Sequence, residues 1–205
     1  MPLTGMTLYH RAVRDVRGDH LLPLSTLRER HPDVYAREAA KYVGREALMG
    51  ERVGRLDCRW TDVLFFSPVN PGPLLDAARQ SGRAIPPVRF WTLDASHLDP
   101  ARACVRLVRP WPGGVKPAPD PADELPFTPQ TLREHSAAPP ATLDRLRALP
   151  GGAPLILLMD VPHILYRGEV PLGALGEARC CGALLPPLDL PETEWSKCRM
   201  LPACP

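Results

Sequence analysis

Apolar positions change period several times along the chain, and each change marks a predicted element. Thr7 to Val13 alternates as a short strand, and Leu21 to Leu27 is an apolar segment that leads into a helical turn. His31-Pro32-Asp33 has the form of a helix start with proline in the first turn. Val34, Tyr35, Ala39, Tyr42 and Val43 then recur at helical spacing, with Arg37, Glu38, Lys41 and Arg45 on the polar face. Leu56 to Phe66, rich in aromatic and branched residues, predicts the central strand, closed by Ser67-Pro68. Asn70-Pro71 caps a helix that runs to about Gln80 and stops at Gly82.

Val88 to Leu93 and Ala103 to Val108 predict two further strands, joined by a loop with His97 and Asp99-Pro100. Pro110 to Pro126 is dense in proline and glycine and predicts a long irregular excursion. Thr128-Pro129 begins a helix ending near His135. Pro140 begins another, with Leu143, Leu146 and Leu149 on one face. Leu155 to Met159 predicts a fully apolar strand, Asp160-Val161-Pro162 a turn, and Ile164 to Tyr166 a last strand. Helices and about six strands at irregular spacing predict an α+β domain rather than a parallel βαβ array. Residues 1–185 are expected to form that single domain, and 186–205 a tail rich in proline that wraps the surface or frays.

An apolar fraction of 44% over 205 residues is enough for one ordinary core. A net charge of +2 excludes a strongly basic nucleic-acid binder, although the cations are lopsided, with 22 Arg against 3 Lys. Arginine forks suit phosphate, and biased coding explains the same excess. Met1 to Arg17 has no apolar leader segment, and no run approaches the roughly 18 apolar residues of a membrane span. The expectation is a cytoplasmic protein with reduced thiols. Cys180, Cys181, Cys198 and Cys204 lack the close pairing of a zinc knuckle, so the expected metal content is none. Dinucleotide-fold, Walker and serine-hydrolase motifs are missing.

Leu8-Tyr9-His10, Arg45 and the stretch from Asp62 to Leu75 occur in an order and spacing that resembles the ADP-ribosyltransferase fold. Within it they are similar to DarT-like enzymes, which transfer ADP-ribose from NAD to thymidine in single-stranded DNA. The resemblance spans residues 8–178. Val161-Pro162-His163-Ile164-Leu165-Tyr166 also resembles a segment of bacterial proteins that carry no assigned activity.

The resemblance implies split β-sheets with flanking helices and NAD as substrate, with single-stranded DNA or RNA as the partner. It implies that His10 bonds the NAD ribose and that Arg45 binds phosphate or an acceptor base. Trp60, Phe65 and Phe66 are expected to stack on nicotinamide or a base. The chain departs from the pattern at Pro154, where the family places its catalytic glutamate; Asp160 and Glu169 are the candidates to replace it. Breaking the nicotinamide bond develops positive charge on the ribose, which a carboxylate stabilises. The alternatives are a nucleotide or single-stranded nucleic-acid binding module without turnover on the same scaffold, and an RNA 2′-phosphotransferase-like enzyme.

Overall fold

The computed structural model describes residues 2–13, 16–82, 84–85, 88–109, 120–153 and 155–178. The architecture is α+β, with antiparallel sheets and short helices. One sheet has the order β1 (Thr7–Arg11), β6 (Phe90–Asp94) and β11 (Leu175–Ala178). The other has the order β5 (Leu64–Phe66), β9 (His163–Tyr166), β7 (Ala103–Arg106) and β8 (Glu124–Pro126). Two-residue strands complete the set: β2 (His20–Leu21) pairs with β10 (Val170–Pro171), and β3 (Arg52–Val53) with β4 (Cys58–Arg59).

Strand alternation sorts the side chains into layers. Leu8 and Leu93 of the three-stranded sheet meet Leu64, Phe66, Val105, Ile164 and Tyr166 of the four-stranded sheet in the main core. Tyr9 and Phe90 point the other way, toward Leu74, Leu75, Ala77 and Ala78 of α4 (Pro71–Gln80) and Leu146 of α6 (Pro140–Arg147). Phe65, Cys104 and Leu165 face outward onto Val53, Leu56, Cys58 and Val63. Gly176 lies opposite Thr92, and a Cβ there would meet the threonine Oγ1 at 2.6 Å, so this close strand pairing needs glycine.

Helix ends follow local chemistry. Asn70 accepts from the Gly72 N–H at 2.8 Å to start α4, and Gly82 takes φ 79° beyond its end. Thr128 caps α5 (Pro129–Glu134) by accepting from the Thr131 N–H at 3.1 Å. Pro32 opens α2 (Pro32–Ala39), which follows α1 (Leu24–Arg30), and a 3₁₀ turn at Ala40–Tyr42 leads toward α3 (Ala47–Gly50).

Three predicted elements are corrected. The stretch from Leu56 to Phe66 is not one strand: Asp57 is left-handed at φ 45°, and Asp62 accepts from the Arg59 N–H at 2.8 Å, folding Trp60–Asp62 into a 3₁₀ turn. Only three residues remain for β5. Leu155 to Met159 is not a strand: 155–156 are irregular and 157–160 form a turn, with Arg145 donating to the Ile156 carbonyl at 3.2 Å and Leu155, Leu157 and Leu158 packing with α4 and α6. The excursion from Pro110 ends in a regular edge strand, β8, whose start is tied back by Arg109 donating to Asp120 and Asp123. Residues 110–119, Pro154 and 179–205, with the proposed tail and with Cys180, Cys181, Cys198 and Cys204, lie outside the described residues. No described helix is long and apolar enough to cross a membrane.

Candidate functional site

The site begins where the two sheets touch. Tyr9 and Ser67 exchange both backbone hydrogen bonds at 2.8 Å, joining β1 to the end of β5, and the bridge is isolated. One step further the strands part, because β1 continues only against β6, with Arg11 opposite Phe90. Antiparallel geometry sends the N–H and C=O of one residue to the same side. With Tyr9 turned toward β5, the main chain of Arg11 faces the fork, and so does that of Phe65.

His10 occupies this fork. Its Nδ1 lies 2.6 Å from the Phe65 carbonyl, and because a carbonyl only accepts, Nδ1 carries the proton and Nε2 is left with a lone pair. The ring stacks on Trp91 at 5.9 Å and 10°, and lies 5.3 Å from Phe66. Burial holds the imidazole below its ordinary pKa of 6.5. The Phe65 hydrogen bond opposes that shift, Lys41 adds to it and Glu38 opposes it. His10 is therefore neutral at pH 7, with Nε2 as an acceptor for a ligand hydroxyl or amide.

Beside the fork runs a chain of aromatic contacts. Trp60 lies 4.4 Å from the Phe65 ring, donates from Nε1 to the Tyr42 hydroxyl at 3.2 Å, and receives the Arg106 guanidinium over its ring at 5.4 Å. Arg45 sits 6.0 Å from the Tyr42 ring and donates to the Lys41 carbonyl, with its side chain exposed. Glu38 and Lys41 form an ion pair one turn before Tyr42. Trp60 is thus fixed by three neighbours and forms a prearranged wall. Phe66 is a main-core residue, 2% exposed, with its ring 5.3 Å from that of His10.

The two carboxylates expected to replace a catalytic glutamate are committed elsewhere. Asp160 receives both arms of Arg145, at 2.9 Å and 2.6 Å, and its carbonyl accepts from Thr142 at 3.1 Å. Glu169 is paired with Arg30 of α1 at 2.9 Å. The side-chain charges that act on His10 are Lys41 and Glu38, and neither Asp160 nor Glu169 is among them. Glu38 had the sequence signature of a solvated helix face, which explains why its place near His10 was not legible.

A second feature was also hidden in the sequence. Arg106 of β7 is 10% exposed and bonds Glu51 at 2.6 Å, Glu124, and the Arg52 carbonyl at 3.2 Å. Glu124 also accepts from the Arg55 N–H at 2.7 Å. One buried carboxylate, one largely buried carboxylate and one guanidinium thus tie β3, β7 and β8 together behind Trp60. Their spacing along the chain follows no motif. A separate cleft of about 220 Å³ lies at the opposite end of β1, among Gly5, Thr7, Pro68, Leu132 and Ser136, and does not include His10. Among the described residues, no three His, Cys, Asp or Glu gather as a metal site.

Compared with family models, curated proteins and solved structures, the chain matches none.

Proposed function

We propose that the fork between β1 and β5 binds a nucleotide, on a scaffold of the ADP-ribosyltransferase kind, and that NAD or its ADP-ribose portion is the ligand class. The observation that carries this reading is the His10 hydrogen bond to Phe65, which fixes the tautomer and leaves Nε2 to accept from a ribose hydroxyl. The Arg11 main chain and the Phe65 N–H supply a donor and acceptor edge that suits a carboxamide or a base. Arg45 places positive charge beside the Tyr42 ring, whose hydroxyl accepts from Trp60, a combination suited to phosphate or to a segment of single-stranded DNA or RNA.

Binding without group transfer is the better-supported form of this reading, because Asp160 and Glu169 are both neutralised by arginines. A second reading is transfer of ADP-ribose from NAD, with Glu38, a carboxylate paired with Lys41 whose charge acts on His10, as the candidate. In that reading NAD supplies the ADP-ribosyl group, His10 orients the ribose, and Glu38 faces the positive charge that develops on it.

Calorimetric titration with NAD, ADP-ribose and a thymidine-containing oligonucleotide tests both. Saturable binding of NAD or ADP-ribose, weakened about tenfold by His10→Ala through the lost hydrogen bond and unchanged by Asp160→Ala, supports the nucleotide reading. Binding that is indifferent to His10→Ala overturns it. Label transfer from NAD that survives Asp160→Ala and Glu169→Ala but not Glu38→Gln selects the enzyme.

A further inference from the structure

The bridge between Tyr9 and Ser67 stops toward Thr7 as abruptly as it stops toward the fork. Continued antiparallel pairing would set Val69 against Thr7. The Val69 N–H is instead spent on the Ser67 Oγ at 3.2 Å, and the chain turns away to the Asn70 cap of α4. Pro68 between them has no N–H to offer. On the other side of β1, the Ala95 N–H donates to the Met6 carbonyl at 2.8 Å, so Met6 and Leu8 turn their main chains toward β6 and Thr7 turns its own away. The N–H and C=O of Thr7 therefore open into the cleft of about 220 Å³ that Gly5, Met6, Pro68, Leu132 and Ser136 line with it. Gly5, Thr7 and Ser136 are exposed.

An open strand edge takes an extended peptide, whose main chain completes the ladder while its side chains are selected by the walls. This cleft is smaller than the roughly 300–1,000 Å³ of a drug-sized pocket, so it holds only a short stretch of chain. Strand alternation assigns the side chains. A ligand residue paired with Thr7 places its side chain on the Thr7 face, and its two neighbours project the other way, toward the apolar Met6, Pro68 and Leu132. Thr7 also stands opposite Asp94 in the β1–β6 ladder, so the Asp94 carboxylate shares the face of the paired residue. That carboxylate accepts from the Ser96 hydroxyl at 2.6 Å, the Ser96 N–H at 2.9 Å and the Gly5 N–H at 2.7 Å, contacts that hold it below the usual carboxylate range. Among the described residues no lysine or arginine pairs with it. It lies two strands from the ligand position, about 10 Å at the usual strand spacing, a span that a lysine and an aspartate bridge together.

We propose that this cleft binds an extended peptide segment of a partner protein by strand addition at Thr7, and that the segment reads apolar, lysine, apolar, with the lysine paired to Thr7 and facing Asp94. The Thr7 N–H donates to the carbonyl of the lysine residue, whose own N–H donates to the Thr7 carbonyl. The two flanking side chains rest on Met6, Pro68 and Leu132. The site is separate from the His10 fork and does not depend on what the fork binds.

The probe is the acetylated, amidated tripeptide alanine–lysine–valine, titrated against the isotope-labelled full chain and followed by NMR at the amides of Gly5, Thr7 and Ser136. Saturable shifts at these amides are expected. N-methylation of the lysine residue removes one main-chain donor without touching the protein, and is expected to weaken binding about tenfold. A tripeptide with glutamate at the centre is expected to bind severalfold more weakly than the lysine peptide, as suits an exposed charge pair. Ser136→Trp, which fills the cleft from an exposed position, is expected to abolish the shifts at Gly5 and Thr7 with the melting temperature unchanged, whereas His10→Ala leaves them in place. The proposal is overturned by a lack of saturable shifts, by equal affinity for the N-methylated or the glutamate peptide, by shifts that persist in Ser136→Trp, or by their loss in His10→Ala. The two peptide comparisons use only wild-type protein, so they decide the matter even where Ser136→Trp folds poorly.

Discussion

The imidazole of His10 takes the place of a main-chain partner for Phe65: its Nδ1 reaches the Phe65 carbonyl at 2.6 Å, one step beyond the backbone exchange between Tyr9 and Ser67. A side chain from β1 ends the sheet-to-sheet ladder and holds the fork open. The same bond decides the chemistry of the imidazole, because it assigns the proton to Nδ1. Nitrogen-detected NMR is expected to find His10 as the Nδ1–H tautomer at pH 7, and an Nε2–H signal would contradict the assignment.

A pH dependence follows from the depressed His10 pKa. The unfolded chain takes up a proton near the ordinary 6.5, whereas the folded protein resists it because burial disfavours the cation. The stability contribution is therefore complete above 6.5 and is lost as pH falls through the window down to the folded pKa. Urea denaturation of wild type and His10→Gln across that range is expected to show a smaller pH dependence in the variant. Equal slopes in the two proteins would show that His10 is not the titrating group.

Removing Arg106 should be among the most costly single changes. It would leave the carboxylates of Glu51 and Glu124, 12% and 6% exposed, without their shared countercharge. Breaking a buried ion cluster in this way costs about 3–5 kcal/mol. Arg106→Met is expected to unfold at much lower denaturant, and Arg106→Met combined with Glu124→Gln to recover part of the loss. Additive losses in the double variant would disprove the charge argument.

Asp160 and Glu169 should separate by stability rather than by ligand affinity. Asp160 holds the 155–161 segment to α6 through a two-armed ion pair in which both side chains are mostly buried, so Asp160→Ala is expected to lower the melting temperature. Glu169 pairs with an Arg30 that is 56% exposed, and Glu169→Ala should change little. Neither substitution should alter ADP-ribose affinity; a selective loss of affinity in either would return that carboxylate to the site.

Cys58 and Cys104 should be inert in the folded protein. Burial is the main cause that pushes their thiols up to about 11 and about 12, so almost no thiolate exists at pH 8. Alkylation followed by peptide mass mapping is expected to leave both unmodified under native conditions and to label both in denaturant. Rapid native labelling of either would show that this face of the sheet opens.

Local chemistry determined the parts of the fold that were legible without a structure. Asn70-Pro71, Thr128-Pro129 and Pro140 start helices through caps and a fixed proline φ, interactions completed within a few residues. The mixture of periods likewise set the α+β class. Tertiary structure decided the rest. Leu155 to Met159 has a strand's composition but forms no strand, and its Ile156 carbonyl is bonded by Arg145, a residue on another element. The fork depends on β1 meeting β5 across 55 residues of sequence at His10 and Phe65. The cluster of Glu51, Arg106 and Glu124 forms because β7 pairs with β8 and packs under the β3 region. Side-chain type and short-range spacing are written in the chain, but which distant strand carries the partner of a histidine, a tryptophan or a buried arginine is set by sheet pairing and burial.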